Sequence, residues 1–191
     1  MAFIKDVQNI LKDYETQYEA IWAEYDKADD LYKQQRMTAR VLEEERKKRC
    51  EQLGLLYRTA GEQINAALKK YVDALPARYA KNPEQMDANT LAMLSAASNG
   101  VLELTEGDIE SLFAKADGNL TLQGVLSDFV AKHDIPAKIT FFSQAQRKAD
   151  AENYAGGCIG ALSRHNDMHM LPLSFGFYVD GKNVPAPLIG E

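Results

Sequence analysis

The sequence predicts an all-α fold, made of a long heptad-patterned N-terminal helix or helical hairpin, a small helical domain, and an extended C-terminal tail. Three features predict it. Apolar and aromatic residues recur at alternating spacings of three and four from Ile4 to Leu42, shorter amphipathic stretches further along open on capping residues, and the helical period fades after Leu171. The boundaries follow these changes: residues 1–75 form the arm, 76–165 the helical domain, and 166–191 the tail with a short β-hairpin.

The arm's seam runs through Ile4, Val7, Leu11, Tyr14, Tyr18, Ile21, Tyr25, Ala28 and Tyr32, with Gln35 polar before Ala39 and Leu42. A repeat of about 3.5 residues keeps one face toward a partner helix, from the same chain or a neighbouring one. Past Leu42 the seam meets Arg46, then resumes at Cys50, Leu53, Tyr57, Ala60, Ile64, Ala67, Tyr71 and Leu75. Two successive spacings of four make a stutter, which unwinds a supercoil without ending the helix. Gly54 and Gly61 weaken the helix, each by roughly 1 kcal/mol relative to Ala, so a bend or hairpin turn is expected near one of them. Pro76 is expected to end the element.

Charge along the arm is polarised. Met1 to Tyr32 holds three Lys and eight Asp or Glu, net −5, whereas Lys33 to Arg58 holds eight Lys or Arg and four Glu, net +4. Pairing of an acidic half with a basic half, staggered or antiparallel, would satisfy both. The run Glu43-Glu44-Glu45-Arg46-Lys47-Lys48-Arg49 pairs with itself at i,i+4 spacing, which describes a solvated helix face better than a nucleic-acid tract.

After Pro76 come short capped helices. Asn82-Pro83 and Asp87 are helix-start chemistry, and Asn99-Gly100 is a C-cap after the Ala/Ser-rich stretch between Leu91, Leu94 and Leu102. Thr105 and Asp108 form a capping box ahead of Ile109, Leu112 and Phe113, and Asp117-Gly118-Asn119 stops that helix. Thr121 is expected to cap the next, whose face is Leu122, Val125, Leu126, Phe129 and Val130. The two read as a helical hairpin. Pro136 opens another segment, in which Ile139, Phe141, Phe142 and Ala145 either begin extended or, as the pattern favours, join a helix toward Ala155. The apolar tail from Leu171 through Asp180-Gly181 to Pro187 suits a small hairpin that wraps its own core or docks on a neighbour.

Composition excludes several functions. With 191 residues, 46% of them hydrophobic, the chain can build a real core, and its net charge of −6 argues against a protein that wraps nucleic acid. Cys50 and Cys158 make no disulfide framework, the N-terminus has no secretory signal, and the longest uncharged run, Ala88 to Leu102, is too polar to span a membrane. A cytoplasmic location is expected.

Chemical motifs are weak. His165 and His169 share a helix face at i,i+4, but Asn166 stands where a zinc protease needs Glu, and no third ligand declares itself. Gly156-Gly157-Cys158-Ile159-Gly160 lacks the Lys and Ser/Thr of a phosphate loop and reads as close helix packing or a hinge. Cys158 has no nucleophile signature around it. Asp117-x-Asn119-x-Thr121 opens like a calcium loop, yet Leu122 occupies the glycine position, so it reads as a turn. No catalytic, cofactor-binding or metal-binding residue is therefore assigned, and no cofactor is expected. The candidate interaction residues are Tyr14, Tyr18, Ile21, Trp22, Tyr25 and Tyr32 on the arm with Phe175, Phe177 and Tyr178 in the tail, because aromatic residues dominate binding hot spots. Packing in the chain's own core is the competing reading of the same face.

The charged helix from Met1, the EEERKKR join, the TEGDIESLFAKAD helix and the apolar LPLSFGFYVDGKNVPAPLIGE tail together resemble the small helical proteins encoded by bacteriophages and prophages. This resemblance of style spans the chain and carries no residue roles. It implies a non-enzymatic virion, head-assembly or connector component, in a bacterial cytoplasm or a virion, that binds itself or a larger assembly. It equally implies an acidic inhibitor or adaptor that blocks a host protein.

Overall fold

The computed structural model describes residues 2–168, 176–179 and 182–185, with side chains over residues 3–82 and 84–164. The helices are α1 (Ala2–Lys33), α2 (Ala39–Tyr79), α3 (Ala88–Ser98), α4 (Glu106–Lys115), α5 (Leu120–His133) and α6 (Gln144–Met168), with a 3₁₀ turn at Pro83–Gln85. Strands β1 (Gly176–Val179) and β2 (Lys182–Pro185) pair antiparallel, Phe177 opposite Val184 and Tyr178 opposite Asn183. The all-α expectation holds, as does the long N-terminal helix. Two units make up the chain: Met1–Val72 with the chain from Arg147 onward, and Asp73–Gln146.

The first unit is built on the α1–α2 hairpin. Its turn lies at Gln34–Thr38, not near Gly54 or Gly61, and both glycines sit inside α2. The cause is local hydrogen bonding. The Gln35 N–H donates to the Tyr32 carbonyl and the Arg36 N–H to the Leu31 carbonyl, which is a Schellman closure, and Gln35 takes the left-handed conformation at φ 58°. Thr38 then caps α2, its Oγ1 accepting from the Val41 N–H at 3.4 Å. A non-glycine residue in that conformation costs roughly 1–2 kcal/mol. Gln35→Gly is accordingly expected to raise unfolding free energy by about 1 kcal/mol, read from the midpoint of a urea melt at unchanged m-value.

The seam residues of α1 close a core with α2 and α6. Phe3, Ile4, Val7, Leu11, Tyr14 and Tyr18 are buried against Leu53, Leu56, Ala60 and Ile64 of α2 and against Ala151, Tyr154, Ala155, Cys158 and Leu162 of α6. Phe3 stacks on Tyr71 at 4.9 Å and meets Tyr154 edge-on at 6.0 Å. A residue missing a helical donor comes later: Pro76 lies inside α2, which runs on to Tyr79 rather than ending at the proline. Losing one intrahelical bond is tolerated there, with Leu75 fully buried beside it. The α6 helix passes through Gly156 to Gly160 without a break. A Cβ at Gly156 or Gly160 would meet nothing within 4 Å, so close packing does not explain those two glycines.

The second unit collects Leu94, Ile109, Ala116, Leu122 and Leu126 into its own core, with Phe113, Phe129 and Ile135 packed around it. Capping is as the residues suggest at three ends. Asp87 accepts from the Asn89 and Thr90 N–H groups, Thr105 and Asp108 form the reciprocal box, and Gly100 takes φ 69° after α3. The hydrogen bonds from Thr90 and Thr105 hold the Asp87 and Asp108 carboxyls below the ordinary aspartate range. At the fourth end Asn119, not Thr121, is the N-cap, accepting from the Leu122 N–H at 3.1 Å, while Thr121 Oγ1 donates to the Ala80 carbonyl. Residues 135–143 are not helical, which corrects the reading of Ile139 to Phe142. Phe141 instead lies over Gly124, 3.5 Å from where a Cβ would be, and edge-on to Tyr79, whose hydroxyl donates to the Phe142 carbonyl. Ser143 caps α6 by accepting from the Gln146 N–H.

Candidate interaction surface

The hairpin presents its predicted aromatic residues as a ladder. Ring centroids are 5.9 Å apart from Tyr14 to Tyr18, 6.2 Å from Tyr18 to Trp22 and 5.9 Å from Trp22 to Tyr25. Its lower rungs belong to the chain's own core: Tyr14 and Tyr18 are buried. Burial also raises the Tyr18 hydroxyl pKa, opposed by a hydrogen bond with Trp22 and by the Arg49 charge. Trp22 and Ile21 are half-buried against that core, Tyr25 is half-buried, and Tyr32 is 41% exposed. Phe175 lies outside the described residues, and Phe177 and Tyr178 are described as backbone of β1 alone.

Where α2 passes the upper rungs, two arginines occupy places that a seam would give to apolar groups. Arg49 lays its guanidinium 4.2 Å from the Trp22 ring and 4.0 Å from the Tyr25 ring, and Arg46 Nε donates to Tyr25 Oη at 2.9 Å. Cation–π contacts of this kind contribute about 0.5–2 kcal/mol each. With Arg49 at the seam and Cys50 exposed, the spacing from Leu42 runs through Arg46 and Arg49 to Leu53, so the stutter expected at Cys50 is corrected to an unbroken heptad with two arginines in it. The charge polarity is answered within the chain too, with the acidic α1 running beside the basic first half of α2.

A second surface lies along the other edge of the hairpin. An open groove of about 270 Å³ runs between α1 and α2, lined on one side by Ile10, Asp13, Gln17 and Ile21 and on the other by Gln52, Leu55, Thr59 and Gln63. Leu55 is 60% exposed on its lip. Leu31 and Val41, both exposed, stand five helical turns from Asp13 and Thr59 respectively, which carries the same two lips toward the hairpin tip. The seam reading named Ile21 but missed Ile10, Leu31, Val41 and Leu55. Their signal is a set of apolar doublets: in Ile10-Leu11, Val41-Leu42 and Leu55-Leu56 the second member is buried and the first begins a second stripe, while Ile21-Trp22 is half-buried at both positions and Leu31-Tyr32 exposed at both.

Among the described residues no three His, Cys, Asp or Glu side chains converge as a metal site, and no helix is long and apolar enough to cross a membrane. The His165 side chain and His169 lie outside the described residues. Cys158 is buried beside Tyr154. Desolvation pushes its thiol up to about 11, and raises Tyr154 well above the usual tyrosine range. Cys50 is exposed. A thiol-specific reagent is therefore expected to modify one cysteine quickly in the native protein, Cys50, and Cys158 only after denaturant is added; equal native rates would contradict the burial. No family model, curated protein or solved structure matches the chain.

Proposed function

We propose that this protein is a non-enzymatic assembly protein that works by binding other protein surfaces through its α1–α2 hairpin. The supporting observation is the second apolar stripe, in which Leu31, Val41 and Leu55 are exposed along one edge while the core is already closed by the seam residues. Leu55 stands on the lip of the groove beside Ile10 and Ile21, and exposed apolar residues gathered at a groove are a feature of interaction sites, whereas single scattered ones are ordinary on a monomer. The resemblance to phage-encoded helical proteins gives this reading its setting, a virion or head-assembly component. An assembly protein of this kind gains mass with concentration in light scattering, or becomes elongated in small-angle scattering. A compact monomer throughout a concentration series would contradict it.

A second reading is favoured by the charge of α1, which carries four Lys against eight Asp or Glu. It is a stoichiometric inhibitor or adaptor whose acidic helix occupies a basic site on a target protein. Binding of that type weakens steeply with added salt. The concentration-independent monomer that overturns the first reading is the behaviour this one expects.

A further inference from the structure

We infer that the groove edge of the hairpin is the site of a parallel homodimer, in which two hairpins meet face to face with their tips at the same end. The inference rests on the assembly reading and names its partner as a second copy of this chain. Two arrangements are open to a two-fold dimer of hairpins. Either α1 packs on α1 of the partner and α2 on α2, with the hairpins antiparallel, or α1 packs on the partner's α2, with the hairpins parallel.

Charge selects between them. The α1 helix carries net −4, four Lys against eight Asp or Glu, and α2 carries net +3, nine Lys or Arg against six Asp or Glu. The antiparallel arrangement sets like charge beside like along both contacts. The parallel arrangement sets each acidic helix beside a basic one. Asp13 is the charged side chain among the groove's lining residues.

The register of the hairpin then names a pair. Trp22 is level with Arg49, and Tyr25 with Arg46. Nine residues back along α1 and nine forward along the antiparallel α2, the same register brings Asp13 level with Arg58. Both are exposed; Arg58 lies one residue before Thr59 of the lip, outside the groove lining itself, and its Nε donates to the Gly54 carbonyl at 3.2 Å, leaving its other guanidinium nitrogens to meet a carboxylate. In a parallel dimer whose two-fold axis runs along the helices, equal heights face each other. Asp13 of each copy therefore meets Arg58 of the other, twice per dimer, on the rim of the groove in which Ile10, Ile21 and Leu55 alternate with Gln17, Gln52 and Thr59.

The test is the dimerisation constant of the full chain by sedimentation equilibrium, with helicity and melting of each variant measured at a concentration where it is monomeric. Leu55→Glu is expected to weaken dimerisation at least about tenfold, as a charge placed in an apolar contact does. Asp13→Arg and Arg58→Asp are each expected to weaken it, and the variant carrying both to recover most of the loss while melting like the wild type. Strengthening by Asp13→Arg alone would mean that α1 meets α1, and would overturn the parallel arrangement. An oligomer unchanged by Leu55→Glu would remove the groove edge as the interface and leave the assembly reading standing on another surface. A wild-type chain that never self-associates would overturn this inference and the assembly reading together.

Discussion

Tyr14→Ala is expected to cost about 3–5 kcal/mol of stability, the range for removing a fully buried aromatic ring. Tyr14 is 1% exposed and sits between α1 and α2, stacked toward Tyr18, so its removal opens a cavity at the middle of the hairpin. Total stabilities of small domains lie near 5–15 kcal/mol, so a loss of this size is a large share of the whole. Its signature is a collapse of the cooperative melt. If the variant melted as the wild type does and lost only its association with other chains, Tyr14 would belong to an intermolecular surface and the hairpin core described above would be wrong.

Leu126→Ala should have the largest effect in the second unit, about 2–5 kcal/mol, because Leu126 is fully buried with Ile109 at the centre of that core. Amide exchange gives the location as well as the size. Protection should fall most in α4 and α5, whose packing this side chain joins, and a loss confined to α1 would contradict the assignment of the core. An exposed control, Leu91→Ala on α3, should change stability by no more than about 0.5 kcal/mol.

Much of this architecture was legible in residues whose chemistry acts locally. The heptad spacing from Ile4 to Tyr18 gave the buried face of α1, and the Thr105–Asp108 box and Gly100 gave the ends of helices because a cap is a matter of a few neighbouring atoms. The hairpin turn was hidden for an equally local reason. Its left-handed position is held by Gln35, a residue with no turn preference, while Gly54 and Gly61 offered the flexibility that a turn uses and are spent inside a helix. Pro76 misled in the same way, since a helix can carry one proline where burial holds it.

The packing of α6 onto the hairpin depends on contacts between residues more than eighty positions apart, such as Phe3 with Tyr154, and no spacing rule encodes them. The aromatic residues were found, but their role divided. Burial of Tyr14 and Tyr18 follows from the helix they face, whereas the surface left over falls on the neighbouring doublets Ile10-Leu11 and Leu55-Leu56, which a seam-centred reading passes over. Arg46 and Arg49 were read as a self-paired surface run. Within the run Arg46 lies 3.7 Å from Glu43 and Lys48 3.7 Å from Glu45, at i,i+3 rather than the expected i,i+4 spacing, and Arg46 and Arg49 also close the upper hairpin against Tyr25 and Trp22.

The most direct test of the assembly account is the solution mass of the wild-type chain and of Leu55→Glu, measured side by side by light scattering at the same concentrations. The account predicts that the wild type moves from 21.3 kDa toward twice that mass as concentration rises, while Leu55→Glu remains near 21.3 kDa over the same range. Two chains that both stay at the monomer mass would contradict it, and the acidic inhibitor or adaptor reading would take its place.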